Sequence, residues 1–250
     1  ISADSHMAEP LDLWKQRMPL KYRDRAFEWP GQQIGKGQYR RAGGWDPGLR
    51  LKDMAADGVV ADVLYPTRGK SVFRVDYEPE ISEAAARVYN DWLIEFCQEA
   101  PDRLWGQALL PLWDIENAIV EMDRCKKAGL VGATTWLVPP DGLRFTSEHY
   151  DRFWAAAQDL EMPVSMHINN GFGPYAEAAE AVRVRNRGDR LTELSFTATG
   201  HKKLAADTLT DIICSGVLER YPRLKIVVAE TEVGWIPFWL EELDKRLRRR

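Results

Sequence analysis

Six short apolar runs punctuate the chain, and stretches of helical periodicity separate most of them. The runs are 1–6, 58–66 (GVVADVLYP), 104–112 (LWGQALLPL), 132–138 (GATTWLV), 163–168 (PVSMHI) and 225–230 (KIVVAE). Several are rich in β-branched residues and lack strict polar–apolar alternation, the pattern of strands covered on both faces. Helices are predicted over 82–99, 114–128, 147–160 and 206–220. In the first of these, Ala85, Val88, Tyr89, Trp92, Leu93 and Phe96 recur at helical spacing, and Pro101 marks the end. Asp114 and Ser147 are read as N-caps, while Gly129 and Pro163 follow helix ends. Strand–helix–strand units of this length imply parallel strands joined by right-handed crossovers. The architecture is therefore α/β, with the C-terminal strand ends forming one functional face.

Two stretches break the rhythm. Residues 23–50 are rich in Gly, Gln and Arg, and residues 171–203 carry an Ala/Glu-rich helical pattern at 175–183. Long connections that follow strands in such folds commonly form lids and substrate walls. Neither reads as a linker, so residues 1–250 are expected to form one domain with two insertions on the active-site side.

A net charge of −4 argues against a nucleic-acid partner, which calls for a basic face. The terminal Arg248, Arg249 and Arg250 read as a solvated helix end. Cys97, Cys125 and Cys214 are far apart and odd in number, so buried reduced thiols in a cytoplasmic protein are expected rather than disulfides. No stretch has the roughly 18 apolar residues of a membrane span, and no signal peptide is read at the start. The 10 tryptophans suit a pocket for a flat ligand, a core, or a subunit interface. No Gly-x-Gly-x-x-Gly turn follows a strand, which disfavours a dinucleotide-binding sheet.

Of the four histidines, His6 and His167 hold the more telling positions. In Asp4-Ser5-His6, strand spacing turns a carboxylate and an imidazole to one side, a pair able to hold a divalent cation. A cap or a loop hydrogen bond is the competing reading. His167 ends an apolar run just before Asn169-Asn170-Gly171, so it is either a satisfied core residue or a site residue. Glu230 ends the last run, where a buried carboxylate is costly unless it is paired or bound. His149 reads as a surface residue, and His201 falls in the second insertion.

Together these residues resemble the amidohydrolase-2 family, the branch with aminocarboxymuconate-semialdehyde decarboxylase and the resorcylate-type decarboxylases. The likeness rests on Asp4-Ser5-His6-Met7-Ala8-Glu9-Pro10 with Asp12-Leu13-Trp14, Tyr89-Asn90-Asp91-Trp92 and Pro101-Asp102-Arg103-Leu104. It continues through the His167 run, Ser215-Gly216-Val217-Leu218-Glu219-Arg220, Ala229-Glu230 and Gly234-Trp235-Ile236-Pro237. The resemblance implies a (β/α)8 TIM-type barrel and one divalent metal ion, zinc or manganese, held by Asp4, His6 and His167. It also implies a small-molecule substrate and a homo-oligomer, dimer or tetramer.

Two departures accompany the likeness. Where the decarboxylases place a sixth-strand His beside the metal, Glu230 stands here, cast as the residue that moves a proton. The family's eighth-strand Asp has no counterpart, so about six βα units are expected, with the C-terminal ones absent. The expected activity is a metal-dependent amidohydrolase-type reaction on a small carboxylic acid or carbonyl compound, by hydrolysis or non-oxidative decarboxylation. Arg40, Arg41 and Arg68 are candidates to bind a substrate carboxylate. A non-catalytic barrel used for binding or assembly is the alternative.

Overall fold

The computed structural model describes residues 1–28, 34–73, 77–168, 170–172 and 200–249. Each apolar run carries a strand: β1 (Ser2–His6), β2 (Asp62–Tyr65), β3 (Leu104–Leu109), β4 (Gly132–Thr135), β5 (Val164–His167) and β6 (Ile226–Ala229). They form one sheet in chain order, every neighbouring pair parallel. The helices are α1 (Leu13–Arg17), α2 (Pro47–Ala56), α3 (Pro79–Cys97), α4 (Ile115–Lys127), α5 (Asp151–Asp159), α6 (His201–Cys214), α7 (Val217–Arg220) and α8 (Ile236–Leu247).

The sheet curls. In a flat sheet, five spacings of about 4.8 Å would hold β1 and β6 roughly 24 Å apart. Yet His6, at the end of β1, lies 3.5 Å from Glu230, just past β6. The C-terminal ends of the outermost strands thus meet across a barrel interior. The chain forms a partial barrel of six βα units, as expected. Cover thins toward its last unit: α8 has no buried residue, and its Phe238 and Leu240 are exposed.

Local chemistry explains the helix boundaries. Asp114 caps α4 by accepting from the Asn117 N–H at 2.9 Å, and Gly129 follows with φ +98°. The helix expected from residue 82 starts earlier, because Pro79 takes the first turn, where its missing N–H costs nothing. Ser147 caps a short 3-10 turn, Glu148–Tyr150, that precedes α5. The helix expected over 206–220 is two helices, broken at Gly216 with φ +74°.

Asn90 locks three elements together. Its side chain donates to the Leu109 carbonyl at 3.0 Å and to Glu121 at 2.9 Å, and accepts from the Leu109 N–H at 2.7 Å. Glu121 also accepts from Arg124, at 2.6 and 2.8 Å, and from Arg87 at 3.0 Å. Burial pushes the Glu121 pKa up, but the bonds from Arg124 and Asn90 outweigh it, and the net shift is downward. A depressed carboxylate stabilises the fold above its unfolded value and loses that contribution as pH falls through its folded value. Glu121→Gln is therefore expected to cost roughly 1–3 kcal/mol at neutral pH. The gap to wild type should close in acid, below the ordinary glutamate value of 4.5. Melting curves from pH 3 to 8 check this; a gap that does not change with pH excludes the charged network as its source.

Two expectations need correction. Cys214 is exposed, whereas Cys97 and Cys125 are buried free thiols. His149 is half-buried rather than on the surface, with its Nε2 2.8 Å from the Leu112 carbonyl. Of the three settings open to the tryptophans, the core takes several: each one described is buried or half-buried, with Trp14, Trp136 and Trp154 fully enclosed. The helix expected at 175–183 lies outside the described residues.

Candidate metal centre

Four side chains converge where the strands end. Asp4, His6, His167 and Glu230 each present a ligand atom, all within 4.8 Å of one another. Asp4 and His6 come from β1, whose pairing with β2 gains an extra residue between Ser2 and Ser5. Such a bulge re-aims side chains, and Asp4 sits in it. His167 closes β5 and is fully buried. Glu230 leaves β6 with φ +58°, a left-handed conformation that costs a non-glycine residue on the order of 1 kcal/mol. Its carboxylate oxygens lie 3.5 Å from His6 Nε2 and 3.8 Å from His167 Nε2.

The two imidazoles meet at 3.1 Å, Nε2 to Nε2. Their other nitrogens assign the protons. His6 Nδ1 lies 3.1 Å from the Pro66 carbonyl, and His167 Nδ1 lies 2.8 Å from the Ile168 carbonyl. Each carbonyl accepts, so each Nδ1 must donate. Both Nε2 atoms then carry lone pairs aimed at the same point. Asp4 Oδ1 is shielded from solvent, has no hydrogen-bond partner and lies 3.8 Å from both Nε2 atoms. Lone pairs and a carboxylate facing one another repel unless a cation lies between them. Imidazoles that donate through the far nitrogen to a carbonyl are the usual arrangement around a bound metal.

Electrostatics favour the ligating forms. Burial lowers the His6 pKa, with Lys70 and His167 adding to the shift and Asp4 and Glu230 opposing it. Burial raises that of Asp4, but its interactions with His167, His6 and Lys70 prevail and the net shift is downward. Beneath the pair, Tyr65 packs its ring 5.4 Å from His167 and shares a 3.0 Å hydrogen bond with Ser165.

Two residues here were not singled out from the sequence. Glu9 is fully buried, and its carboxylate accepts from the backbone N–H groups of Thr67, Arg68 and Gly69 at 2.9–3.0 Å. It thereby fixes the connection after β2 that brings Pro66 to His6. The same connection carries Lys70, whose Nζ lies 3.3 Å from His167 Nδ1. With the proton on that nitrogen, the contact is a juxtaposition of two donors rather than a hydrogen bond. The only signal in the sequence was position, since Lys70 follows a strand's C-terminal end.

The other candidates are more dispersed. His201 opens α6, buried, close enough to Glu230, His167 and Lys70 for their charges to act on it. Arg40 and Arg41 are exposed, and Arg41 lines a cleft of about 380 Å³ with His6 and Thr67. Arg68 is half-buried, with its backbone N–H held by Glu9.

Comparison with known proteins agrees with this geometry. The family model described as amidohydrolase matches residues 4–249. The gamma-resorcylate decarboxylase of Rhizobium sp. strain MTP-10005 is 29% identical over 203 residues, 79% of this chain and 58% of that protein. That of Rhodococcus jostii strain RHA1 is 31% identical over 170 residues, 64% of this chain and 49% of that one. The chain thus spans about half the length of these relatives. An amidohydrolase from Mycobacterium avium subsp. paratuberculosis K-10 superposes over 100% of this chain and 76% of its own, with TM-score 0.77 and 18% identity. A 5-carboxyvanillate decarboxylase from Novosphingobium aromaticivorans, complexed with manganese and 4-hydroxy-3-methoxy-5-nitrobenzoic acid, covers 99% of this chain and 68% of its own, with TM-score 0.68 and 21% identity. From the bulged first strand to the last helix, this chain belongs to the amidohydrolase family.

Proposed function

We propose that the chain is the core of a divalent-metal-dependent enzyme that removes CO2 from a small aromatic carboxylic acid without oxidation. One observation carries this reading: two imidazole lone pairs 3.1 Å apart beside an orphaned Asp4 oxygen. Asp4, His6 and His167 hold the ion, and Glu230 lies beside it. A nitrogen-and-carboxylate set suits zinc or manganese, and the manganese in the Novosphingobium enzyme supports the latter. When bound, the ion supplies Lewis-acid polarisation of a substrate carboxylate or carbonyl. The resorcylate decarboxylases among the relatives support the substrate class.

The chemistry asked of the residues is a proton transfer. As the bond between the ring and its carboxylate breaks, CO2 leaves and a proton must reach the ring carbon. We assign that transfer to Glu230, whose carboxylate oxygens lie 3.5 and 3.8 Å from the two Nε2 atoms. The same carboxylate favours a second reading, hydrolysis, because it can take a proton from water as a general base.

A single domain over 1–250 is supported by one continuous apolar cluster from Met7 to Leu224. Exposed Phe238 and Leu240 on α8 support assembly of copies into a homo-oligomer. Free buried Cys97 and Cys125 suit a reducing, cytoplasmic setting. No described helix is long and apolar enough to cross a membrane.

The test is a panel of hydroxybenzoates and of aryl esters and lactones, assayed with manganese for CO2 release and for hydrolysis. Release of CO2 from a hydroxybenzoate is expected. Ester or lactone turnover without CO2 release replaces decarboxylation by hydrolysis. A protein that takes up no stoichiometric metal and turns over neither class is the non-catalytic barrel.

A further inference from the structure

Lys70 stands out in this part of the molecule. Its ammonium is half-buried, and no carboxylate oxygen among the described residues lies within 4.0 Å of it. The polar atom it meets at hydrogen-bond distance among the described residues, His167 Nδ1, already gives its proton to the Ile168 carbonyl. An ammonium withdrawn from water without an anion is costly, and such charges are normally paired. Asp4, Glu230 and Glu9 lie near enough for their charges to act on Lys70, yet none of them closes on it.

The mount is rigid. Lys70 belongs to the turn Gly69–Phe73, which begins where Glu9 grips the backbone. A side chain added at Gly69 would meet Leu109 Cδ1 at 2.8 Å and Pro66 Cβ at 2.9 Å, so the backbone here is closely packed. The lysine is therefore held beside the imidazoles. Asp4 and Glu230 together cancel a divalent ion, and both imidazoles are neutral as ligands. Glu9, the third carboxylate whose charge reaches Lys70, spends its oxygens on the Thr67, Arg68 and Gly69 N–H groups, so the ammonium keeps its donors for a ligand.

We propose that Lys70 is the residue that binds the substrate's carboxylate and selects a monoanionic acid over its neutral analogues. This rests on the metal-centre reading above. It also displaces Arg40, Arg41 and Arg68, the arginines that composition alone offered for the task. The selectivity comes from a single charge-assisted hydrogen bond, made only if the ligand brings an anionic oxygen.

Salicylate and its neutral amide, salicylamide, separate this role from a structural one. Calorimetric titration of the manganese-loaded protein is expected to show tighter binding of salicylate. In Lys70→Met, salicylate should weaken by about ten- to a hundredfold while salicylamide stays unchanged. Lys70→Arg should restore most of the preference. Manganese itself should bind Lys70→Met at least as tightly as wild type, because a like charge has left the ion's surroundings.

An unchanged salicylate-to-salicylamide ratio in Lys70→Met overturns the assignment. So does a wild-type protein that binds manganese without preferring salicylate, or a Lys70→Met protein that loses manganese along with both ligands. Wild-type protein that takes up no manganese fails at an earlier step: the metal-centre reading falls, and the lysine's role falls with it.

Discussion

His167→Ala is expected to abolish stoichiometric manganese binding. Losing an outer partner of a metal ligand typically costs about 10- to 100-fold in affinity, and removing a ligand should exceed that. Of the four converging side chains, His167 is the one with no exposure. His6→Ala should lose affinity to a similar degree with less harm to the fold, because the His6 side chain is 31% exposed. Thermal shift separates the two effects. A ligand present at about 100 times its Kd stabilises the native state by about 2.7 kcal/mol. Manganese should therefore raise the wild-type melting temperature and leave both variants unmoved. In metal-free protein, His167→Ala should melt lower than His6→Ala. Manganese that raises the melting temperature of His167→Ala as much as that of wild type would remove this residue from the centre.

The strands were legible because parallel strands covered on both faces must be short, apolar and rich in β-branched residues, and 132–135 and 164–167 are buried throughout. Their C-terminal ends were legible for the same reason, and with them the positions of His6, His167 and Glu230. Helix starts were harder to read. Pro79 and Ser147 both favour initiation, but one begins a helix where periodicity is not yet visible and the other caps a separate turn. Residues whose roles depend on the curl of the sheet left no local trace. Lys70 faces His167 across 97 positions of chain, and Glu9 reaches its backbone partners across 58 to 60. An exposed lysine and a solvated glutamate have the same sequence signature as these two. The tryptophans left pocket, core and interface open, since their number says nothing about which side of the surface they occupy.

Glu9→Ala is expected to carry the largest stability cost of any substitution near the centre. Three backbone N–H groups lose their common acceptor in a site without solvent. Each buried donor left unpaired costs about 1–3 kcal/mol, although relaxation keeps the sum below the arithmetic total. A loss of about 4 kcal/mol is expected, which for a chain of this size lowers the melting temperature by roughly 10 °C. Glu9→Gln keeps the volume and one acceptor oxygen, so it should recover part of that stability. It also turns an NH2 group toward donors, so the connection should still loosen. Pro66 and Lys70 ride on that connection, and the orientation of His6 depends on the Pro66 carbonyl at 3.1 Å. Manganese affinity in Glu9→Gln should accordingly fall by about 10- to 100-fold, the range for loss of an outer partner. The salicylate preference should fall in step, because Lys70 is no longer held. Denaturant unfolding with manganese and salicylate titrations on both variants measures all three effects. If Glu9→Ala unfolds within about 1 kcal/mol of wild type and Glu9→Gln binds both probes unchanged, Glu9 has no part in holding the site. The coupled losses expected instead would make one buried carboxylate the support for both the metal ligand and the anion anchor.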